Sequence, residues 1–148
     1  MSEKIIKFEI VTPERVLMKE MVSQVTVPTT TGEITVLPNH IPLVASLKPG
    51  VIEVKNEAGE TQIISTSGGF IEVLKDKVVI LADTAEYGHE IDEERAEKAR
   101  QRAEDLKREA VHKDDVDYTA LSVQIEKESA RTRAAKRWRN IKGPDNVS

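Results

Sequence analysis

The sequence predicts a segregated α+β protein, with strands in its first half and helices in its second. Residues 3–83 contain five of the six prolines and five of the seven glycines, so short segments alternate with turns. Within these segments apolar residues recur with a period near two, as in strands with one buried face. From residue 91 the period changes to 3.6, which is the spacing of an amphipathic helix.

Strands account for the first half. The alternation is clearest in seven segments, which are 5–11, 23–27, 33–37, 51–54, 63–66, 70–74 and 78–81. Turn signals rich in Gly, Pro and Asp separate them at intervals of about eight to twelve residues. Eight to ten strands with this spacing are typical of a sandwich or a flattened barrel. No long 3.6-period segment lies between the strands, which argues against an α/β architecture.

One segment of the first half, 37–44, departs from the strand pattern. Pro38 and Pro42 exclude both a helix and a central strand. We expect a stiff, partly apolar loop that exposes Asn39 and His40. Two interpretations remain open: a proline-braced turn that closes the sandwich, or a docking loop for a partner.

Two helices account for the second half, which gives predicted domains 1–87 and 88–148. Asp92 is expected to cap the first helix. Its apolar stripe consists of Ala96, Ala99, Ala103, Leu106 and Ala110. The stripe of the second helix consists of Leu121, Ile125, Thr132 and Ala135, and it ends near Trp138. Because alanine buries little area, this hairpin is expected to be held weakly.

The ends of the second helix also carry signals. An acidic cluster at 114–117 predicts a turn followed by the second helix start, which makes the two helices antiparallel. Gly143 and Pro144 end the second helix, and about six residues at the terminus are expected to be frayed.

Composition excludes several classes of protein. The chain contains no cysteine, so disulfides and thiolate metal sites are ruled out. Its longest apolar run, 78–82, is too short to cross a bilayer, and its first residues lack a signal-peptide pattern. A cytoplasmic protein is therefore expected. The formal net charge of −4 argues against a general polyanion binder.

Charge is distributed unevenly in the second half. Seven acidic residues lie between 83 and 97, whereas six lysines and arginines and no acidic residue lie between 129 and 142. Folding the hairpin brings the two groups together. Arg95 and Arg102 share a helix face, and Arg131 approaches them from the second helix. These guanidiniums predict either a salt-bridge network or an anion site, since guanidinium binds phosphate bidentately.

Six segments occur in a characteristic order. They are Leu37-Pro38-Asn39-His40-Ile41-Pro42-Leu43, Leu47-Lys48-Pro49-Gly50, Ser67-Gly68-Gly69-Phe70-Ile71-Glu72-Val73, Val79-Ile80-Leu81-Ala82-Asp83-Thr84-Ala85, Ile91-Asp92-Glu93-Glu94-Arg95-Ala96 and Asp115-Val116-Asp117-Tyr118. From about residue 5 to 139 the chain resembles the epsilon subunit of bacterial F-type ATP synthase. The resemblance implies a ten-stranded β-sandwich followed by a two-helix hairpin.

The resemblance also implies a role. Such a subunit is not an enzyme: it belongs to the central stalk, binds the gamma subunit and the c-subunit ring, and couples proton flow to ATP synthesis. Its helices inhibit ATP hydrolysis when they extend toward the alpha and beta catalytic subunits. Asn39 and His40 would contact the c ring. The complex would hold the chain at the cytoplasmic face of the cell membrane as a peripheral protein, with no direct membrane insertion.

In some members of this family the folded hairpin binds ATP as a regulatory ligand. The residues that correspond here are Glu86, Ile91, Asp92, Arg95, Ala96, Arg102, Lys127 and Arg131. Glu86 and Asp92 would accept hydrogen bonds from the adenine amino group, and the arginines would bind phosphates. Lys127 stands where strong binders have an arginine, so it keeps the charge but loses the guanidinium fork. The resemblance leaves open whether Mg²⁺ takes part.

Two other functions are weaker alternatives. The basic end of the second helix would suit a polyanion or nucleic-acid adaptor, but Trp138 is the only aromatic residue there and the first helix is acidic. A sandwich enzyme lacks support, because no nucleophile–base pair, metal-ligand spacing or paired carboxylates occur in the strands. No metal site and no nucleic-acid partner are therefore predicted.

Overall fold

A computed structural model describes residues 5–110 and 117–143. Nine strands come first: β1 (Ile6–Val11), β2 (Val16–Thr29), β3 (Gly32–Val36), β4 (Leu43–Leu47), β5 (Gly50–Asn56), β6 (Thr61–Thr66), β7 (Gly69–Val73), β8 (Lys77–Ala82) and β9 (Ala85–Tyr87). A 3-10 turn, Gly88–Glu90, leads into helices α1 (Glu93–Glu109) and α2 (Tyr118–Lys142). The predicted fold class, a β-sandwich followed by two helices, is confirmed.

One long strand, β2, joins the two layers of the sandwich. Its first half pairs with β1, and its second half lies between β3 and β5. A register shift between Val22 and Gln24 marks the change of partner, as a β-bulge does when it bends a strand. One layer is β2–β1–β8–β7–β4 and the other is β3–β2–β5–β6–β9.

The expected number of ten strands is wrong for the described residues, which contain nine. β2 runs for 14 residues without a break, so a single strand serves both layers. The alternation did not single out β4, which begins directly after Pro42, or β9, which has only three residues.

Two apolar clusters meet on opposite faces of β6. Ile64 points into the main sandwich core, which also holds Phe8, Ile10, Ile52 and other aliphatic residues. Its neighbour Ile63 points the other way, into a smaller cluster that it forms with Ile91, Ala96, Ala134 and Ala135. Consecutive residues of a strand face opposite sides, so burial of both means that the hairpin covers the outer face of this layer.

The contact between the helices is narrower than the predicted stripe. Ala96, Ala103 and Ala110 are buried, but Leu106 is 49% exposed, so its assignment to the stripe is wrong. Residues seven apart lie in line along a helix. Because the alanines on this line are small, the two helices approach closely, and the larger Leu106 side chain is left at the edge of the contact. On α2 the buried set also includes Ala130, Ala134 and Glu128, none of which belonged to the predicted stripe.

The predicted helix ends are found where the structure describes them. The Asp117 carboxylate accepts a hydrogen bond from the Ala120 amide at 3.0 Å and caps α2. Gly143, with φ of 74°, ends it. The predicted acidic turn between the helices and most of the predicted frayed terminus lie outside the described residues.

Neither helix, over the ranges given, has the length and apolar character needed to cross a membrane.

Candidate functional site

The hinge between the sandwich and the hairpin comprises residues 88–92. Just before it, the Tyr87 hydroxyl donates a hydrogen bond to the Leu17 carbonyl at 2.9 Å. Within it, Glu90 lies 3.8 Å from Arg15 of the β1–β2 turn. The Asp92 carboxylate then accepts a hydrogen bond from the Arg95 amide at 3.2 Å, which confirms the predicted N-cap. The hinge is thus tied to the sandwich up to Glu90.

Gly88 is the point of closest approach between the hinge and α2. A Cβ atom at this position would lie 2.8 Å from the Ala134 carbonyl oxygen and 3.2 Å from the Trp138 Cβ. Such distances are shorter than van der Waals contact, so only glycine permits α2 to pack here as it does.

A row of rings extends this contact. The Tyr87 and His89 rings stack with centroids 5.1 Å apart, and the Trp138 ring lies 5.3 Å from His89. The Lys142 ammonium sits 4.7 Å from the centre of the Trp138 ring, a cation–π geometry. The C-terminal part of α2 therefore rests on the hinge through apolar and aromatic contacts.

Opposite charges of the hairpin meet as predicted. Arg139 near the end of α2 donates to the carboxylate of Glu93 at the start of α1, at 2.7 Å, so the two helices are antiparallel. Arg137 of α2 lies 2.7 Å from Glu53 of β5 and joins the hairpin to the sandwich.

A cleft of about 710 Å³ opens between the two helices beside the hinge. It is lined by Glu90, Asp92, Arg95, Lys98, Ala99, Arg102 and Arg131. The three cations of α1 lie at i, i+3 and i+7, so they form one row along the helix. The carboxylates are at the hinge end, which makes the cleft acidic at one end and basic along its length.

The residues predicted to bind ATP do not all lie in the cleft. Asp92, Arg95, Arg102 and Arg131 line the cleft together. Ile91 and Ala96 are buried in the small cluster against the sandwich. Glu86 does not line the cleft but forms an ion pair with Arg131, which does. Lys127 is half-buried and does not line the cleft.

Arg131 belongs to a three-residue ion cluster. Its Nη1 donates to Glu128 Oε2 at 2.9 Å and its Nη2 to Glu86 Oε2 at 3.3 Å. Its Nε lies 3.0 Å from Glu86 Oε1 but makes no hydrogen bond. Burial by itself lowers the pKa of Arg131, but the hydrogen bonds and charges of Glu128 and Glu86 outweigh it and raise that pKa.

Arg95 and Arg102 differ from Arg131. Over the ranges 5–110 and 117–143 neither guanidinium forms an ion pair, and both side chains are exposed to the cleft. Of the two predicted interpretations, the salt-bridge network describes Arg131, whereas Arg95 and Arg102 remain available to an anion. In the part of the chain described, no cluster of three or more potential metal ligands occurs.

The proline-braced loop ends on an exposed apolar tip. The His40 amide donates to the Leu37 carbonyl at 3.2 Å, and Asn39 adopts φ of 65°. Asn39 is exposed as predicted, but His40 is half-buried and its Nδ1 lies 2.7 Å from the Ile41 carbonyl oxygen. Ile41, which the sequence reasoning did not single out, is 75% exposed.

A second exposed apolar surface was also missed. Val16, Val11, Leu81 and Phe70 stand side by side across β2, β1, β8 and β7 on the outer face of the sheet. Leu81 and Phe70 are 55% and 56% exposed. The signal was present, because the alternation that buries Ile71 and Ile80 forces their neighbours onto the other face. We call these four residues the outer apolar row.

The fold and the site together define a β-sandwich protein with an appended, arginine-lined helical hairpin. The family model "ATP synthase, Delta/Epsilon chain, beta-sandwich domain" matches residues 5–88. The ATP synthase epsilon chain of Carboxydothermus hydrogenoformans is 52% identical over 103 residues, covering 70% of this chain and 75% of that one. That of Syntrophobacter fumaroxidans is 44% identical over 138 residues, covering 93% and 99%.

A solved structure agrees with these relatives. A chain in the cryo-EM structure of Euglena gracilis mitochondrial ATP synthase, described as OSCP/F1/c-ring in rotational state 1, superposes with a TM-score of 0.79. The two share 27% identity, and the match covers 89% of this chain and 82% of that one. This chain belongs to the ATP synthase epsilon chain family.

The close approach at Gly88 yields a direct prediction. Gly88→Ala should loosen the hairpin from the sandwich, because the added Cβ meets the backbone of α2 rather than a flexible side chain. The fluorescence of Trp138, the only tryptophan, should shift toward that of an exposed ring. Thermal unfolding of the sandwich should stay unchanged, and an unaltered Trp138 environment would contradict the assignment of Gly88 as the docking point.

Proposed function

We propose that this chain is the non-catalytic central-stalk subunit of an F-type ATP synthase, and that its hairpin restrains ATP hydrolysis in response to ATP. The observation that carries the regulatory part is the cleft with Arg95 and Arg102, which form no ion pair with any residue of 5–110 and 117–143. Its lining comes from the hinge, α1 and α2, so the site exists only while the hairpin is folded.

Two exposed apolar surfaces support the stalk role. The outer apolar row is the kind of sheet face that a larger partner covers, and we assign it to the gamma subunit. The loop tip around Asn39, His40 and Ile41 is a rigid projection suited to the c ring. The related Euglena gracilis chain comes from a complex whose description names F1 and the c-ring, which supports this assembly. The complex would hold the subunit at the cytoplasmic face of the membrane.

The chemistry of the cleft suits a nucleotide. Arg95 and Arg102 are about 10 Å apart along the helix, so they can contact different phosphates of one triphosphate. Asp92 at the hinge end supplies a carboxylate that can accept hydrogen bonds from an adenine amino group. Ala99 between the charges leaves room for a ring.

ATP bound only to the folded hairpin would shift its equilibrium. The stabilisation is RT ln(1 + [ATP]/Kd), or about 2.7 kcal/mol at a hundredfold excess over Kd. The buried residues of α1 and α2 are mostly alanines, which bury little apolar area. A stabilisation of about this size therefore decides whether the hairpin stays folded. When ATP falls, α2 would release Glu53 and Glu93, and its basic residues would meet acidic surfaces of the catalytic alpha and beta subunits.

The inhibitory role is tested in the assembled enzyme. ATP hydrolysis should be measured with the full-length subunit and with a chain that ends at Gly88. The shortened chain should support assembly and proton coupling but allow faster hydrolysis at low ATP, since the hairpin is missing. Equal hydrolysis by the two enzymes would show that the hairpin does not inhibit here.

The ATP site is tested in the isolated full-length protein. Arg102→Gln should weaken ATP binding by about tenfold or more, because a charge-assisted contact to phosphate is lost. Arg108→Gln is the matched control, since Arg108 lies on the same helix, is paired with Asp105 and does not line the cleft. Calorimetric titration provides the affinities. Equal losses in both variants would mean that only the general charge of α1 matters.

A further inference from the structure

Glu128 is a buried carboxylate that does not line the proposed nucleotide site. It lies in the middle of α2 and is 5% exposed, although every predicted ligand-binding role falls on other residues. A buried carboxylate is costly unless partners compensate it, so its partners indicate what it does.

Both oxygens of Glu128 are engaged. Oε1 accepts a hydrogen bond from Gln124 Nε2 at 3.0 Å, and Oε2 accepts one from Arg131 Nη1 at 2.9 Å. Glu128 and Arg131 are three residues apart on the same helix, so the pair travels with α2 whether the hairpin is folded or open. Glu86, the second partner of Arg131, belongs instead to β9 of the sandwich.

This pair changes the charge that the cleft offers to an anion. Lys98 is already paired with Glu94 at 3.1 Å, and Arg131 is held by two carboxylates. Phosphate oxygens that approach Arg131 must therefore compete with Glu128 for the guanidinium and also face its negative charge. In so buried a place this repulsion is weakly screened.

We propose that Glu128 sets the nucleotide affinity of the cleft by holding Arg131 in competition with bound phosphates, so that only high ATP concentrations close the hairpin. The proposal rests on the cleft being the ATP site described above. It makes Glu128 an affinity-lowering residue, whereas a purely structural role would make it an affinity-raising one. The two roles differ in the sign of the effect.

The test is a titration of the full-length protein with ATP and, separately, with inorganic tripolyphosphate. Glu128→Gln keeps the shape of the side chain and an acceptor oxygen but removes the charge. It should bind both anions about tenfold more tightly than the unchanged protein. Glu126→Gln is the matched control: it removes the same charge two residues away, from an exposed side chain that lines a different groove. Its affinity should stay unchanged.

The outcomes separate this inference from the proposed function. If the unchanged protein binds ATP and Glu128→Gln binds it no more tightly, the ATP site stands and the role of Glu128 is overturned. If neither protein binds ATP, the nucleotide part of the proposed function fails. The tripolyphosphate titration then shows by itself whether Glu128 lowers the affinity of the cleft for phosphates. Equal tripolyphosphate binding, or equal gains in both variants, would overturn the role, and a gain confined to Glu128→Gln would support it. A gain of affinity cannot come from misfolding.

Discussion

The close packing of α2 on the outer face of β5 and β6 holds the hairpin, the hinge and the cleft in place. It requires glycine at position 88, since a Cβ there would meet the backbone of α2. It buries Ile63 on the face of β6 that is turned away from the sandwich core. It also brings Arg131 to Glu86 and closes the cleft against the hinge. If α2 moved away, the small cluster, the ion cluster and the candidate nucleotide site would all be lost together.

This packing is close but poor in apolar area. The α2 side of the small cluster consists of two alanines, Ala134 and Ala135, and the partly buried Trp138, and ion pairs join α2 to β5, β9 and α1. Alanines contribute little hydrophobic free energy, and partly exposed ion pairs contribute little each. The sandwich, in contrast, has a core of fully buried isoleucine and valine side chains and one phenylalanine. The molecule thus joins a sandwich with a large apolar core to a hairpin that is held by a much smaller apolar contact.

Much of this arrangement could be predicted from the sequence, because it depends on local signals. Asp92 caps α1 and Gly143 ends α2, as their residue types indicate, and the opposite charges of the hairpin meet. Glu128 could not be predicted as buried, because alanines occur on several faces of α2 and leave open which face docks. Gly88 looked like an ordinary boundary glycine until the position of α2 was known. The outer apolar row joins four strands whose order in the sheet no local pattern specifies.

Native-state hydrogen exchange of the full-length protein, with and without millimolar ATP, measures how easily the hairpin opens. The claim is that the hairpin opens from the sandwich at a small free-energy cost and that ATP raises this cost. Amides in the middle of α1 and α2 should exchange through an opening much easier than the one that exposes β1 and β8, and ATP should slow only the helical amides. Equal free energies of opening for helical and sandwich amides, unchanged by ATP, would show that the hairpin does not open separately from the sandwich.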